Sequence, residues 1–152
     1  LTYKGPLMIS VIQRVTQASV TVDQVEIGQI DQGILAFIGI ETTDTQATVH
    51  TMLEKIANYR IFSDNDGKMN LSVTAIHGGI LLVPQFTLVA DTSKGRRPSF
   101  AKAASPKHGG ILFDYIKEQA HNYTNKAAFG KFGANMQVSL TNDGPVTFIL
   151  NC

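Results

Sequence analysis

Met136-Gln-Val-Ser-Leu-Thr-Asn-Asp-Gly-Pro-Val-Thr-Phe-Ile-Leu150 sets two strand-like runs, Met136–Leu140 and Val146–Leu150, on either side of Asn142-Asp143-Gly144-Pro145. Apolar and β-branched residues dominate both runs, and Asn-Asp-Gly is turn chemistry, so the stretch predicts an antiparallel hairpin. The proline is the odd element. It removes a backbone donor at the mouth of a strand, and an X-Pro bond is the one peptide bond with ready access to cis. A cis Gly144–Pro145 bond would present two carbonyls side by side on a rigid loop, able to line a binding site without a reactive side chain. A plain Gly-Pro turn closing a hairpin is the alternative.

Upstream of this stretch, Met8–Val22 is rich in β-branched residues. Ile9, Val11 and Val15 share one parity and Ala18, Val20 and Val22 the other, which predicts a long strand bulged near Thr16-Gln17. Val25–Ile30 and Gly33–Ile40 follow as strands, the second apolar enough to lie inside a covered sheet. Thr43-Asp-Thr-Gln46 fits a capping box, so a helix is expected from Asp44 to about Tyr59, with Val49, Leu53, Ile56, Ala57 and Arg60 at helical spacing. Ser63-Asp-Asn-Asp-Gly67 forces a turn and lacks the ligand pattern of a calcium loop. Gly78–Ala90 predicts a second buried strand, interrupted by Pro84 and Gln85, with Gln85 and Thr87 on one face. Ser105-Pro106 caps a second helix running to about Asn122, its buried face formed by Ile111, Leu112, Tyr115, Ile116 and Gln119. A strand over 126–132 precedes the C-terminal pair. The order predicts a mixed α/β fold, with largely antiparallel sheets forming a barrel-like core and two main helices packed against it.

The chain has 152 residues, 43% hydrophobic and 16% charged, with a formal net charge of +1. That size suits one domain with a core of its own, expected over residues 8–152, and the charge excludes a bulk polyanion binder. Residues 1–7 read as an expression remnant or an N-terminal extension. The single cysteine, Cys152, leaves no disulfide framework, and no apolar run approaches a membrane span, so a cytoplasmic protein without membrane contact is expected. Charge is uneven, however. Lys94, Arg96, Arg97, Lys102 and Lys107 fall between Thr92 and Phe113 without an acid among them, a patch suited to phosphate or simply a solvated face.

Conventional catalytic signatures are absent: there is no G-x-S-x-G, P-loop, G-x-G-x-x-G or H-E-x-x-H. His50, His77, His108 and His121 are scattered without metal-ligand spacing, so neither a metal nor another cofactor is expected. Cys152 has no base oriented towards it, and Thr87 has no evident activating partner.

Gln85-Phe-Thr-Leu88 and Asn142-Asp-Gly-Pro-Val-Thr147 resemble the two signature motifs of the D-aminoacyl-tRNA deacylases, also known as the D-tyrosyl-tRNA deacylase family. The resemblance extends through Ile12-Gln-Arg-Val15, Ala18-Ser-Val-Thr-Val22, Tyr59-Arg-Ile-Phe-Ser-Asp64, Gly67-Lys-Met-Asn70, Arg97-Pro-Ser-Phe100 and Met136-Gln-Val-Ser-Leu140. One position departs from it: Pro84 stands where the family usually has serine.

The resemblance implies a homodimeric hydrolase, with active sites at the subunit interface, that cleaves the ester of D-aminoacyl-tRNA or of glycyl-tRNA mischarged on tRNA-Ala. It implies that Gly144 and Pro145 are a cis chirality filter entering the partner's pocket. Gln85, Phe86 and Thr87 would form the catalytic pocket, with Arg14 bracing the loop and Met136 lining the pocket. Lys94, Arg96, Arg97, Lys102 and Lys107 would contact tRNA phosphates; DNA is not an expected partner. The family is thought to use the tRNA 2′-hydroxyl to assist hydrolysis, in keeping with the missing nucleophile–base pair. Pro84 keeps open a catalytically silent RNA-binding or interaction protein on the same fold.

Overall fold

The computed structural model describes residues 8–152, so the extension expected at 1–7 lies outside the described residues. Strands β1 (Ile9–Val22), β2 (Val25–Ile30) and β3 (Gly33–Gly39) come first, then helix α1 (Gln46–Asn58). A short ribbon of β4 (Phe62–Ser63) and β5 (Met69–Leu71) leads to β6 (Gly79–Pro84), helix α2 (Pro106–Gln119), β7 (Ala127–Phe129) and β8 (Gln137–Asn151).

β1 is the strand on which the sheet is built. Its first half pairs with β3 and its second half with β2, while β8 runs antiparallel along its other side. Parallel pairing then adds β6 to β3 and β7 to β6. The sheet almost closes on itself, because β2 returns to β7: a Cβ on Gly28 would lie 2.7 Å from the Phe129 carbonyl oxygen. The expected mixed α/β barrel with two helices is the observed architecture.

Two clusters fill it. Val15, Ala18, Val20, Ile30, Leu35, Leu81 and Val83 pack inside the curved sheet. Ile12, Ile34, Ala36, Ile38, Ile80 and Leu82 face the other way, against Val49, Met52, Leu53 and Ile56 of α1 and Leu112, Phe113 and Ile116 of α2. Alternate residues of β3 and β6 therefore serve different cores, which is why both read as nearly continuous apolar runs. The expected bulge of β1 is present. Val15 opposes Asn142 and Gln17 opposes Thr141, leaving Thr16 as the extra residue, so Val15 and Ala18 reach the same core despite opposite parity.

Several expectations need correction. The C-terminal hairpin does not form: Gln137–Asn151 is one strand, and β1 supplies the pairing partner that each half was expected to find in the other. Helix α1 starts two residues late, with Thr45 as N-cap and its N–H donating to the Thr48 hydroxyl at 3.0 Å, because Asp44 is buried beneath the turn. Arg60 lies beyond that helix and is exposed. The run Gly78–Ala90 is a strand only to Pro84; Phe86–Val89 winds into a 3-10 turn, since proline ends the ladder. Strand β7 is shorter than the expected 126–132. On α2, Ile111 is 57% exposed and Phe113 takes the core position; the helix passes into a 3-10 turn over Ala120–Asn122.

Candidate functional site

Register defines the Gly-Pro element. Gln13 pairs with Thr147 and Val15 with Asn142, so one residue of β1 faces four of β8. Three surplus residues must leave the ladder, and Asp143–Val146 arch out as a loop. Within it the Gly144–Pro145 bond is cis, and Gly144 has φ +140°, a conformation rare for side-chain-bearing residues.

The arch is tied at both ends. Asn142 closes its base: its Oδ1 accepts from the Val146 N–H at 2.8 Å and its Nδ2 donates to the Thr147 hydroxyl at 2.9 Å. Arg14, the β1 residue opposite the arch, donates from Nε to the Asp143 carbonyl oxygen at 3.0 Å and from Nη1 to the Ile61 carbonyl oxygen at 2.8 Å. Its Nε also lies 3.6 Å from the Asp143 carboxylate. Arg14 therefore joins the arch to the chain just before β4. From sequence Asn142 was read as turn chemistry and not as a candidate site residue. Its place between a strand and a Gly-Pro pair was visible, but the five-residue span it closes appears only once β8 is continuous.

The second motif sits where β6 ends. The Gln85 N–H donates to the Ile38 carbonyl oxygen at 2.8 Å, which holds the 3-10 turn against the end of β3. The turn's own ladder begins with Leu88 N–H to the Gln85 carbonyl oxygen at 3.2 Å, so the Phe86 and Thr87 amides precede it and have no acceptor within the turn. The Gln85 amide donates to the Thr87 hydroxyl. Phe86 is largely exposed, with its ring centroid 5.1 Å from that of Phe100. Met136 Sδ accepts from the Lys131 N–H at 3.3 Å. A Cβ on Gly130 would meet both this sulfur at 2.9 Å and Pro84 Cδ at 3.2 Å, so Met136 and Pro84 flank the same spot.

Lys94, Arg96, Arg97, Lys102 and Lys107 are all exposed, and none forms an ion pair among the described residues. The Phe86–Phe100 contact docks their loop against the turn. No hydrogen bond or ion pair among the described residues joins the Gly144–Pro145 arch to Gln85-Phe86-Thr87 within one chain. The histidines do other work. His50 sits between the Tyr115 and Tyr123 hydroxyls at 2.6 and 2.9 Å, and His108 Nε2 lies 2.9 Å from the Asp44 carbonyl oxygen. Burial pushes the Asp44 carboxyl above the usual range, and burial with the neighbouring Asp44 charge does the same to Glu41. No group of three or more His, Cys, Asp or Glu side chains among the described residues could hold a metal ion.

The family model described as D-Tyr-tRNA(Tyr) deacylase matches residues 11–151. The chain belongs to this family. The D-aminoacyl-tRNA deacylase of Ectopseudomonas mendocina is 56% identical over 139 residues, 91% of this chain and 96% of that relative. The D-aminoacyl-tRNA deacylase of Chromohalobacter salexigens is 54% identical over 143 residues, 94% of this chain and 99% of the relative. Among solved structures, the c-Myc DNA Unwinding Element Binding Protein superposes with a TM-score of 0.88 at 41% identity, covering 93% of this chain and 97% of that one. Both motifs, the 3-10 turn and the arch, fall inside the span matched by the deacylase family.

Proposed function

We propose that the chain is an editing hydrolase that cleaves the ester of D-aminoacyl-tRNA, and of glycyl-tRNA mischarged on tRNA-Ala, while rejecting L-amino acids. The observation that carries this reading is the arch itself, a Gly144–Pro145 pair that leaves a continuous strand and is braced by Arg14 and Asn142. The Gly144–Pro145 pair offers backbone carbonyls and no reactive side chain, which suits exclusion better than bond breaking. An L side chain would meet the carbonyls; a hydrogen at the same place, as in glycine or a D-residue, would not.

Hydrolysis adds water to the ester carbonyl carbon and releases the amino acid and the tRNA 3′-hydroxyl. The Phe86 and Thr87 amides, unpaired within their turn, are the donors assigned to the developing oxyanion. The tRNA 2′-hydroxyl, held beside the ester, assists the attack, and such positioning can lower a barrier by about 7–11 kcal/mol in the best cases. This division of labour needs neither a protein nucleophile nor a metal.

A homodimer completes the site. Among the described residues β8 has β1 on one side only, and its exposed Ile149 and Phe148 give a second copy an apolar edge to cover. Each arch would then enter the partner's pocket at Gln85-Phe86-Thr87. The cytoplasm, where charged tRNA is made and used, is the compartment this function requires. Pro84 favours a second reading, a silent RNA-binding protein on the same fold, because no hydroxyl is available there.

Incubation with D-tyrosyl-tRNA and L-tyrosyl-tRNA separates the two. The hydrolase releases D-tyrosine preferentially; equal or absent release of both eliminates it.

A further inference from the structure

Phe86 and Phe100 are the unusual feature of the basic surface. They are 60% and 39% exposed, and their rings lie 5.1 Å apart at 51°. Neither belongs to the two buried clusters. Both are held from behind by backbone. The Gln85 N–H pins the turn that carries Phe86, and the Phe100 carbonyl oxygen accepts from the Ala103 N–H at 3.0 Å. Asp91 and Ser99 exchange two hydrogen bonds of 2.8 and 2.9 Å across the base of the intervening loop, so its tip is Lys94-Gly95-Arg96-Arg97. The acid at that base, Asp91, spends its Oδ1 on the Ser93 N–H at 2.9 Å. The loop therefore presents cations that form no ion pair among the described residues, beside two partly exposed aromatic rings that pack on each other.

Exposed aromatics beside unpaired Lys and Arg are the combination that binds single-stranded nucleic acid, the rings stacking on bases while the cations follow phosphates. We propose that Phe86 and Phe100 form a stacking platform for an unpaired base at the 3′ terminus of tRNA, with Lys94, Arg96, Arg97 and Lys102 on the adjoining phosphates. This rests on the hydrolase reading above and adds to it a contact that recognises the RNA end whatever amino acid it carries. Charge complementarity favours RNA over the partner's basic loop as occupant of the surface beside Phe100, because two such loops would repel each other.

Fluorescence anisotropy with uncharged tRNA tests it, using the intact RNA and the same RNA with its unpaired 3′ nucleotides removed. Phe100→Ala and Phe100→Leu are expected to weaken binding of intact tRNA about tenfold, and Phe100→Trp to restore it. None of the three should change binding of the trimmed RNA. Replacing Arg96 and Arg97 together by Ala should flatten the salt dependence by about two phosphate equivalents with either RNA. Phe100→Leu keeps the apolar bulk, so it carries the test if Phe100→Ala melts early. Unchanged affinity for intact tRNA, or an equal loss with trimmed tRNA, overturns the platform. So does a shift in the dimer equilibrium of the Phe100 variants by sedimentation with tRNA affinity unaltered, which would mean that the partner subunit, not RNA, covers Phe100. Hydrolysis of D-tyrosyl-tRNA by the unmodified protein is scored separately: its absence removes the hydrolase reading, and the binding measurements still decide the platform.

Discussion

Arg14 reaches across from β1 to the carbonyl oxygen of Asp143 at 3.0 Å, one residue ahead of the Gly144–Pro145 bond. A second hydrogen bond from the same guanidinium, 2.8 Å to Ile61, fixes the direction from which it approaches. Only a forked cation can make both. Arg14→Lys should keep one bond and Arg14→Ala neither. A hydrogen bond from a charged, mostly buried group contributes about 1.5–3 kcal/mol, so Arg14→Ala should lower stability by about 2 kcal/mol in urea unfolding. Displacement of the arch by about 1 Å should cut kcat/KM for D-tyrosyl-tRNA by up to about 100-fold. Full activity in Arg14→Ala would show that the brace is dispensable.

Gly144→Ala should impair hydrolysis directly. The added methyl would lie 2.6 Å from Val146 Cγ2 and 3.2 Å from Arg14 Nη2, at a φ of +140° that costs an L-residue about 1–3 kcal/mol. Single-turnover rates on D-tyrosyl-tRNA should fall at least about tenfold while circular dichroism is unchanged. An unimpaired variant would remove the arch from the site.

Thr87→Ala should retain activity within about tenfold, since the hydroxyl is engaged by the Gln85 amide and no base adjoins it. Replacing the terminal adenosine of the substrate by its 2′-deoxy form should abolish hydrolysis. The opposite pattern, a dead Thr87→Ala acting on an otherwise normal fold, would make Thr87 the nucleophile.

Asp44 sets an acid-side stability trend. Its carboxyl is raised by burial, despite a hydrogen bond from the Glu41 N–H at 2.8 Å, and Oδ1 has no partner among the described residues. A raised carboxyl binds its proton more readily folded than unfolded. Its stabilising effect is therefore complete below the ordinary value of 3.8 and is lost as pH rises through the folded value. Glu41 acts in the same sense. Asp44→Asn should flatten the dependence of urea midpoint on pH above that ordinary value. An unaltered slope would mean that the charge is solvated after all.

What the sequence disclosed, and what it hid, follows from the range of the interactions. The bulge at Thr16, the central position of β3 and the Ser105 cap were readable because each depends on neighbours within a few residues. Ser105 Oγ indeed accepts from the His108 N–H at 3.1 Å. The β4–β5 ribbon was missed because its strands span two and three residues, too short for a period to show. The C-terminal hairpin failed for a different reason. Asn142-Asp-Gly-Pro satisfies turn chemistry locally, and nothing within ten residues reveals that β1, more than a hundred residues upstream, pairs both halves. The Phe86–Phe100 pair has the same character, being a contact made between loops, and the bracing role of Arg14 was legible only through the family resemblance.

The register of β8 carries one more consequence. Four residues lie between Asn142 and Thr147 where β1 has one between Val15 and Gln13, so the excess is three. Removing three would leave one residue opposite Arg14, restore an uninterrupted ladder and keep every side chain downstream on its present face. In register terms the arch is thus an insertion into a ladder that could close without it. Three codons lost in frame are expected to leave the barrel's pairing intact while removing the Gly-Pro element and its hydrogen bonds to Arg14 and Asn142.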